Sequence, residues 1–258
     1  MGTGPKPGME IEESVSRMAK GWDTGSNTRS RARGAKVRVK TASRRKSSST
    51  RWLQRQLNDP YVAEAQRLGY RSRAAFKLIE LDDRYGLLKG AKRVVDLGCA
   101  PGGWTQVLAE RLSDDSQIIG IDLQEVDPVA GTKIWVMDFL DENAEERLMA
   151  EMDGPADVVL SDMANSATGH KQTDQIRTMA LCEAAFDFAI KVLAKDGSFV
   201  AKVLAGGADT ALVKRMQYHF RSVKHTKPPA SRPGSKEWFV VAQGFKGLNE
   251  PKAGSSED

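Results

Sequence analysis

Cysteine is nearly absent: the 258 residues contain two, Cys99 and Cys182, each inside an apolar segment. That scarcity excludes a disulfide scaffold and fits a reducing compartment. Three histidines, His170, His219 and His225, form no ligand-spaced group, so no metal site is expected. No apolar run approaches the ~18–20 residues that a membrane span requires. The N-terminus lacks the apolar stretch of a signal peptide, and Lys6 stands where a myristoylation signal needs Ser or Thr. Internal repeats are missing too. With 40% hydrophobic and 28% charged residues the chain can nevertheless bury a sizeable core, which excludes wholesale disorder and fibrous repeats. The expectation is a soluble, cytoplasmic protein with no membrane partner.

Acidic residues are scarce at one end. Residues 1–58 hold 14 Lys/Arg against 4 Asp/Glu, a balance of +10, while the remaining 200 carry −5. From Arg29 to Arg55 there are 11 basic residues and no acidic one. Self-repulsion and little apolar surface predict a flexible basic arm over residues 1–57. A polyanion is its natural partner, because each neutralised phosphate releases a counterion. Glu10, Glu12 and Glu13 argue against a transit peptide. The ordered domain is expected over 58–245, followed by a polar, frayed tail over 246–258.

Inside 58–245 the pattern alternates. Asp59-Pro60 reads as a helix start and Gly69 as its stop. A second helix follows Ser72, with Phe76, Leu78 and Ile79 on its apolar side, and ends near Gly86. β-Branched runs at 93–97, 117–123, 133–137, 157–160 and 198–204 predict strands. Helical patterns at 104–112 and 174–193 lie between them, the latter with Ile176, Ala180, Ala184 and Phe188 every four residues; a third carries Leu212, Met216 and Phe220. Two last strands, 221–226 and 236–243, are joined without a helix and should pair antiparallel. The architecture is α/β: a mostly parallel seven-stranded sheet with one antiparallel strand and helices on both faces. Ligands of such sheets bind at the carboxyl ends of the strands.

Those ends carry polar chemistry. The first strand runs into Asp96-Leu97-Gly98-Cys99-Ala100-Pro101-Gly102-Gly103-Trp104, a glycine loop that opens a helix and lacks the G-x-G-x-x-G of a dinucleotide site. The second ends at Asp122, placed for ribose hydroxyls, and the third at Asp138-Phe139, a carboxylate beside an aromatic face for an adenine amino group. Each acid alone could be a helix cap. At successive strand ends they describe a nucleoside pocket with no phosphate grip, which S-adenosylmethionine fits better than NAD or ATP. The fourth strand ends Ser161-Asp162, and the fifth holds Lys202 in an apolar run, costly to bury unless paired. Asp162 and Lys202 should meet on adjacent strands. Glu237 enters the last apolar run, and Arg73 and Lys77 share one helix face, which asks for an anionic neighbour.

These residues resemble a known family. Residues 96–104 (DLGCAPGGW), 161–164 (SDMA), 199–202 (FVAK) and 236–242 (KEWFVVA), with 72–81 (SRAAFKLIEL), are similar to the FtsJ/RlmE family of 2′-O-ribose methyltransferases of large-subunit ribosomal RNA. The likeness covers about residues 58 to 245. It implies a Rossmann-like methyltransferase fold, an S-adenosylmethionine donor and a uridine acceptor in 23S ribosomal RNA. It implies Lys77, Asp162, Lys202 and Glu237 as the catalytic set. Donor contacts implied by it are Gly102, Trp104, Asp122, Asp138 and Asp162, to which the glycine loop adds Gly98 and Gly103. Asn165-Ser166 departs from the family, which has Pro then Asn after SDMA.

In the implied reaction a ribose 2′-oxygen displaces the methyl carbon from a sulfonium, and alignment supplies much of the rate. Lys202 would take the hydroxyl proton, or orient the oxygen while water takes it. A monomer is expected. The competing readings are the same chemistry on transfer RNA, and a non-catalytic ribosome-assembly factor, which would gain little from a buried lysine.

Overall fold

The computed structural model describes residues 47–164, 169–204, 210–232 and 234–248. The order is α1 (Ser47–Leu57), α2 (Pro60–Leu68), α3 (Ala75–Tyr85), β1 (Arg93–Leu97), α4 (Gly103–Arg111), β2 (Gln117–Asp122) and β3 (Lys133–Val136), then α5 (Ala144–Glu151), β4 (Ala156–Ser161), α6 (Lys171–Val192), β5 (Leu193–Leu204), α7 (Thr210–His219), β6 (Phe220–Thr226) and β7 (Glu237–Phe245). Local chemistry sets the early boundaries as the sequence predicts. Asp59 accepts a hydrogen bond from the Tyr61 N–H at 3.1 Å, Pro60 opens α2, and Gly69 and Gly86 close α2 and α3.

The seven strands form one sheet in the order β3-β2-β1-β4-β5-β7-β6. Every pairing is parallel except those of β7, which runs against both β5 and β6. The chain winds outward from β1 to β3, then restarts at β4 on the other side of β1. That reversal opens a crevice at the carboxyl ends of β1 and β4. Alternating side chains feed two cores. Val94, Val158, Leu160, Val200, Phe239 and Val241 meet α2, α3 and α4 on one face. Val95, Val159, Phe199, Ala201, Val240 and Ala242 meet α5, α6 and α7 on the other.

Several expectations need correction. The basic arm does not extend to residue 57, because 47–57 form α1, tied down where Arg232 donates to the Gln56 side chain at 3.1 Å. The tail begins later than residue 246: the Lys246 N–H reaches the His219 carbonyl at 2.8 Å, and its ammonium reaches Gln217 and Tyr218 carbonyls. Helix α5 is a further element, and Phe220 opens β6 rather than closing a helix. On α6, Ile176 is 64% exposed and Ala180 is exposed, so they are not its inward stripe. A strict four-residue repeat advances about 40° per step around a 3.6-residue helix and drifts off the core. The buried stripe is Thr178, Cys182, Ala185, Phe186, Ala189 and Val192, joined by the expected Phe188, with Ala184 packed against the core. Residues 1–46, 165–168 and 249–258, with most of the arm, the Asn165-Ser166 departure and most of the tail, lie outside the described residues.

Candidate active site

Strand parity places three of the four expected catalytic residues on one face. Asp162 follows Leu160 by two positions, Lys202 follows Val200, and Glu237 precedes Phe239, all toward the α3 side of the sheet. Register supplies proximity: Ser161 pairs with Ala201 and Leu204 with Glu237, so Asp162 comes opposite Lys202. Lys77 descends from α3 onto the same spot, its ammonium 5.6 Å from the centre of the Phe239 ring.

The four side chains come together, the Asp162–Lys202 contact as adjacent strands lead one to expect. The Lys77 ammonium lies 3.2 Å from Asp162 Oδ2 and 2.9 Å from Glu237 Oε1. The Lys202 amine donates to Asp162 Oδ1 at 3.0 Å and to the Asp162 carbonyl at 2.5 Å. Lys77 and Lys202 are only 7% and 9% exposed. Burial alone would lower the pKa of Lys77, but the Asp162 and Glu237 carboxylates outweigh it and hold the ammonium above its ordinary value. Burial would likewise raise Asp162, yet Lys77 and Lys202 on either side keep its pKa below the usual carboxylate value. Asp162 is therefore a fixed negative charge bridging two amines, with Glu237 as the second anchor of Lys77. The anionic neighbour that Arg73 asked for is Asp59, 3.2 Å away.

The glycine loop lies across the crevice from Asp162. Gly98 sits at φ +73°, and a Cβ there would come 2.3 Å from Met163 Cγ, so β1 and β4 close up only without a side chain. Gly102, at φ +104°, is the N-cap of α4, and a Cβ there would meet Arg71 Nη1 at 2.6 Å. Gly103 opens α4 against the Ser72 hydroxyl. Asp122 Oδ2 accepts from the Ala100 N–H at 2.9 Å and Oδ1 from Gln124 at 2.8 Å. Asp138 accepts from the Leu140 N–H at 3.0 Å, one strand further out than Asp122.

Two expected contacts differ. The Trp104 side chain is buried in the α3 core, its indole N–H on the Ala74 carbonyl at 2.8 Å, which leaves only its backbone N–H at the helix start for a ligand. Phe139 offers no free aromatic face, because it is buried edge-on to Phe188. In its place Leu123 and Leu140, both exposed, stand just after Asp122 and Asp138. The sequence reading also passed over Asp96, 1% exposed and bonded by the Thr105 hydroxyl at 2.8 Å. Burial, together with Asp162 and Asp122, pushes its carboxyl up to about 7. A carboxylate at the end of an apolar strand was its visible signal.

On the far side of Lys77 and Glu237 a cleft of about 1440 Å³ opens between α1, α2 and the β6–β7 loop. Arg55, Arg73 and Arg232 line it, with Asp59 and Tyr61. Among the described residues no cluster of candidate metal ligands occurs, and no helix is long and apolar enough to cross a membrane.

Residues 70–245 match the model of the FtsJ-like methyltransferases. The chain is 61% identical to the Ribosomal RNA large subunit methyltransferase E of Erythrobacter litoralis over 81% of its own length and 95% of that protein. It is 60% identical to the protein of that name from Novosphingobium aromaticivorans, over 81% and 94% respectively. A crystal structure described as a ribosomal RNA methyltransferase from Plasmodium falciparum superposes with a TM-score of 0.62 at 31% identity, covering 69% of this chain and all of that one. A mixed sheet with this strand order, a glycine loop at its switch point and a buried Lys-Asp-Lys cluster beside it thus coincide with a family match over most of the chain, which belongs to the FtsJ-like methyltransferases, enzymes that use a methyl donor.

Proposed function

We propose that this chain transfers the methyl group of S-adenosylmethionine to the ribose 2′-hydroxyl of a uridine in the 23S ribosomal RNA of the large subunit, acting as a cytoplasmic monomer. The observation that carries the reading is the Asp162 carboxylate bridging two buried lysines between a glycine-lined crevice and a basic cleft. The names of the relatives from Erythrobacter litoralis and Novosphingobium aromaticivorans supply the RNA class.

Polar groups at the carboxyl ends of β1 to β4 support this donor. Asp122 and Asp162 bring negative charge there, and buried Asp96 lies beside them with its carboxyl pushed up to about 7. A sulfonium carries the cation that would offset this charge. Asp122 keeps acceptor capacity for ribose hydroxyls, Asp138 and the exposed Leu123 and Leu140 suit a base, and Gly98, Gly102, Gly103 and the Trp104 N–H suit the remaining polar groups. When bound, S-adenosylmethionine supplies a methyl already activated on sulfur.

The chain's own residues then handle one proton and one orientation. A neutral Lys202 would satisfy its two bonds to Asp162 with its two N–H groups and turn its lone pair to the acceptor hydroxyl. The hydroxyl proton would go to Lys202 as the 2′-oxygen takes the methyl that the donor would supply. Lys77, held as an ammonium, stays a donor that steadies the developing negative charge on the oxygen. Arg55 and Arg232, which line the cleft, would suit the flanking phosphates.

Incubating purified large subunits, naked 23S RNA and transfer RNA with isotopically labelled donor tests this. Label is expected as 2′-O-methyluridine in the ribosomal substrate alone. Label in transfer RNA, or on a base, would refute the assignment.

A further inference from the structure

Behind the lysine cluster sits a second buried carboxylate that the reaction above does not use. Glu80, on α3, is 3% exposed and lies three residues past Lys77. Its Oε1 accepts from the Tyr61 hydroxyl at 2.9 Å, and its Oε2 accepts from the Ala230 N–H at 2.7 Å. The Ala230 carbonyl is held as well, by Arg73 Nη2 at 2.5 Å. Both polar groups of one loop residue are therefore gripped by side chains of α3 and of the turn just before it. The next residue, Ser231, donates its hydroxyl to Glu237 Oε1 at 2.9 Å, the oxygen that faces Lys77.

We infer that Glu80 is a positioning residue which, by clamping Ala230 with Arg73, fixes Ser231 and through it the Glu237–Lys77 pair on the acceptor side of the site. The role rests on the methyl-transfer reading for its consequence, but not for its geometry. Pro229, Ser231, Arg232, Gly234 and Ser235, between β6 and β7, form one wall of the basic cleft. A loop rich in Pro, Ser and Gly has little apolar surface to hold it, so buried polar anchors set its conformation. Burial pushes the Glu80 carboxyl up to about 7, against the lowering effect of its hydrogen bonds to Ala230 and Tyr61. Keeping such a group inside the protein makes physical sense where its two oxygens are spent on a fixed geometry.

Three variants test the clamp: Glu80→Ala, Glu80→Gln and Ser231→Ala. Each is read by steady-state kinetics on large subunits, by equilibrium binding of S-adenosylmethionine, and by backbone hydrogen exchange over 228–237. Glu80→Ala should lower kcat about tenfold or more, leave donor affinity within about twofold, and speed exchange at Ala230 and Ser231. Glu80→Gln should restore both readouts to within about threefold, since its carbonyl accepts the Ala230 N–H while the rotatable Tyr61 hydroxyl accepts from its amide. Ser231→Ala should lower kcat without faster exchange at Ala230, because the clamp stays and only the tie to Glu237 is removed.

Turnover of Glu80→Ala near wild type, donor affinity falling in step with turnover, or a Gln variant no better than Ala would overturn the inference. If Glu80→Ala fails to fold, an unchanged kcat in Ser231→Ala overturns it. An inactive wild type whose exchange pattern still follows these expectations would sink the reaction and leave the clamp standing.

Discussion

At the scale of single residues, two carboxylates that act on each other electrostatically answer pH in opposite senses. Asp162 is held below the ordinary carboxylate value, despite its burial, by Lys77 and Lys202. Its stabilising contribution is present above the unfolded carboxylate pKa and is lost as pH falls through the folded one. Asp162→Asn leaves two buried amines short of a partner and should cost about 3 kcal/mol at neutral pH. The gap from wild type should narrow on acidification below pH ~4. Thermal melts across pH check this. Asp96 is raised to about 7 by burial, so the fold favours its protonated form. Its contribution is complete below the unfolded pKa and disappears as pH rises through 7. Asp96→Asn, which keeps an acceptor for the Thr105 hydroxyl, should be nearly neutral at pH 4 and stabilising relative to wild type at pH 8, by on the order of 1–3 kcal/mol. A pH-independent difference in denaturant titrations would rule this out.

At the scale of elements, the close approach of β1 and β4 is the feature most sensitive to a single atom. Gly98→Ala would put a Cβ 2.3 Å from Met163 Cγ at a backbone φ of +73°. Strain of that kind costs of order 1–3 kcal/mol, and donor affinity should fall with stability. Calorimetric binding beside a melting curve measures both. The elements themselves were largely legible. Asp59-Pro60, Gly69 and Gly86 mark helix ends through groups a few residues apart, and alternating Val and Ile mark strands, because both signals are local. The misplaced face of α6 has a different origin: Ile176 fits an apolar repeat, but what covers a helix face is decided by its neighbours, and none among the described residues covers that turn. Helix α1 was hidden in the same way. Its basic residues argue against order, whereas a distant side chain, Arg232, reaches Gln56 to dock it.

At the scale of the whole molecule, the site is assembled from residues up to 160 positions apart, Lys77 to Glu237. Lys202 and Asp162 could be paired in advance because adjacent parallel strands bring their ends together. The bridge from Lys77, by contrast, depends on how α3 crosses the sheet, and the Glu80–Ala230 tie has no sequence signal at all. The same distance between cause and visibility applied to Trp104, whose indole turned inward to α3. Charge distribution supplies a further expectation. Residues 1–46 carry 12 Lys/Arg against 4 Asp/Glu and precede α1, whose Arg55 lines the basic cleft. Deleting residues 1–46 should weaken binding to ribosomal RNA and flatten the slope of log affinity against log salt, by about 0.7–0.9 for each phosphate that the arm no longer neutralises. Filter binding over a salt series reads the slope, and an unchanged slope would show the arm takes no part.

The account stands or falls on Lys202. The most direct measurement is a map of ribose methyls in large-subunit ribosomal RNA from cells lacking this gene, complemented either with the wild-type chain or with Lys202→Ala, alongside donor binding by the purified variant. One 2′-O-methyluridine should return with the wild type and stay missing with Lys202→Ala, while the variant still binds S-adenosylmethionine. Restoration of that methyl by Lys202→Ala would contradict the central claim.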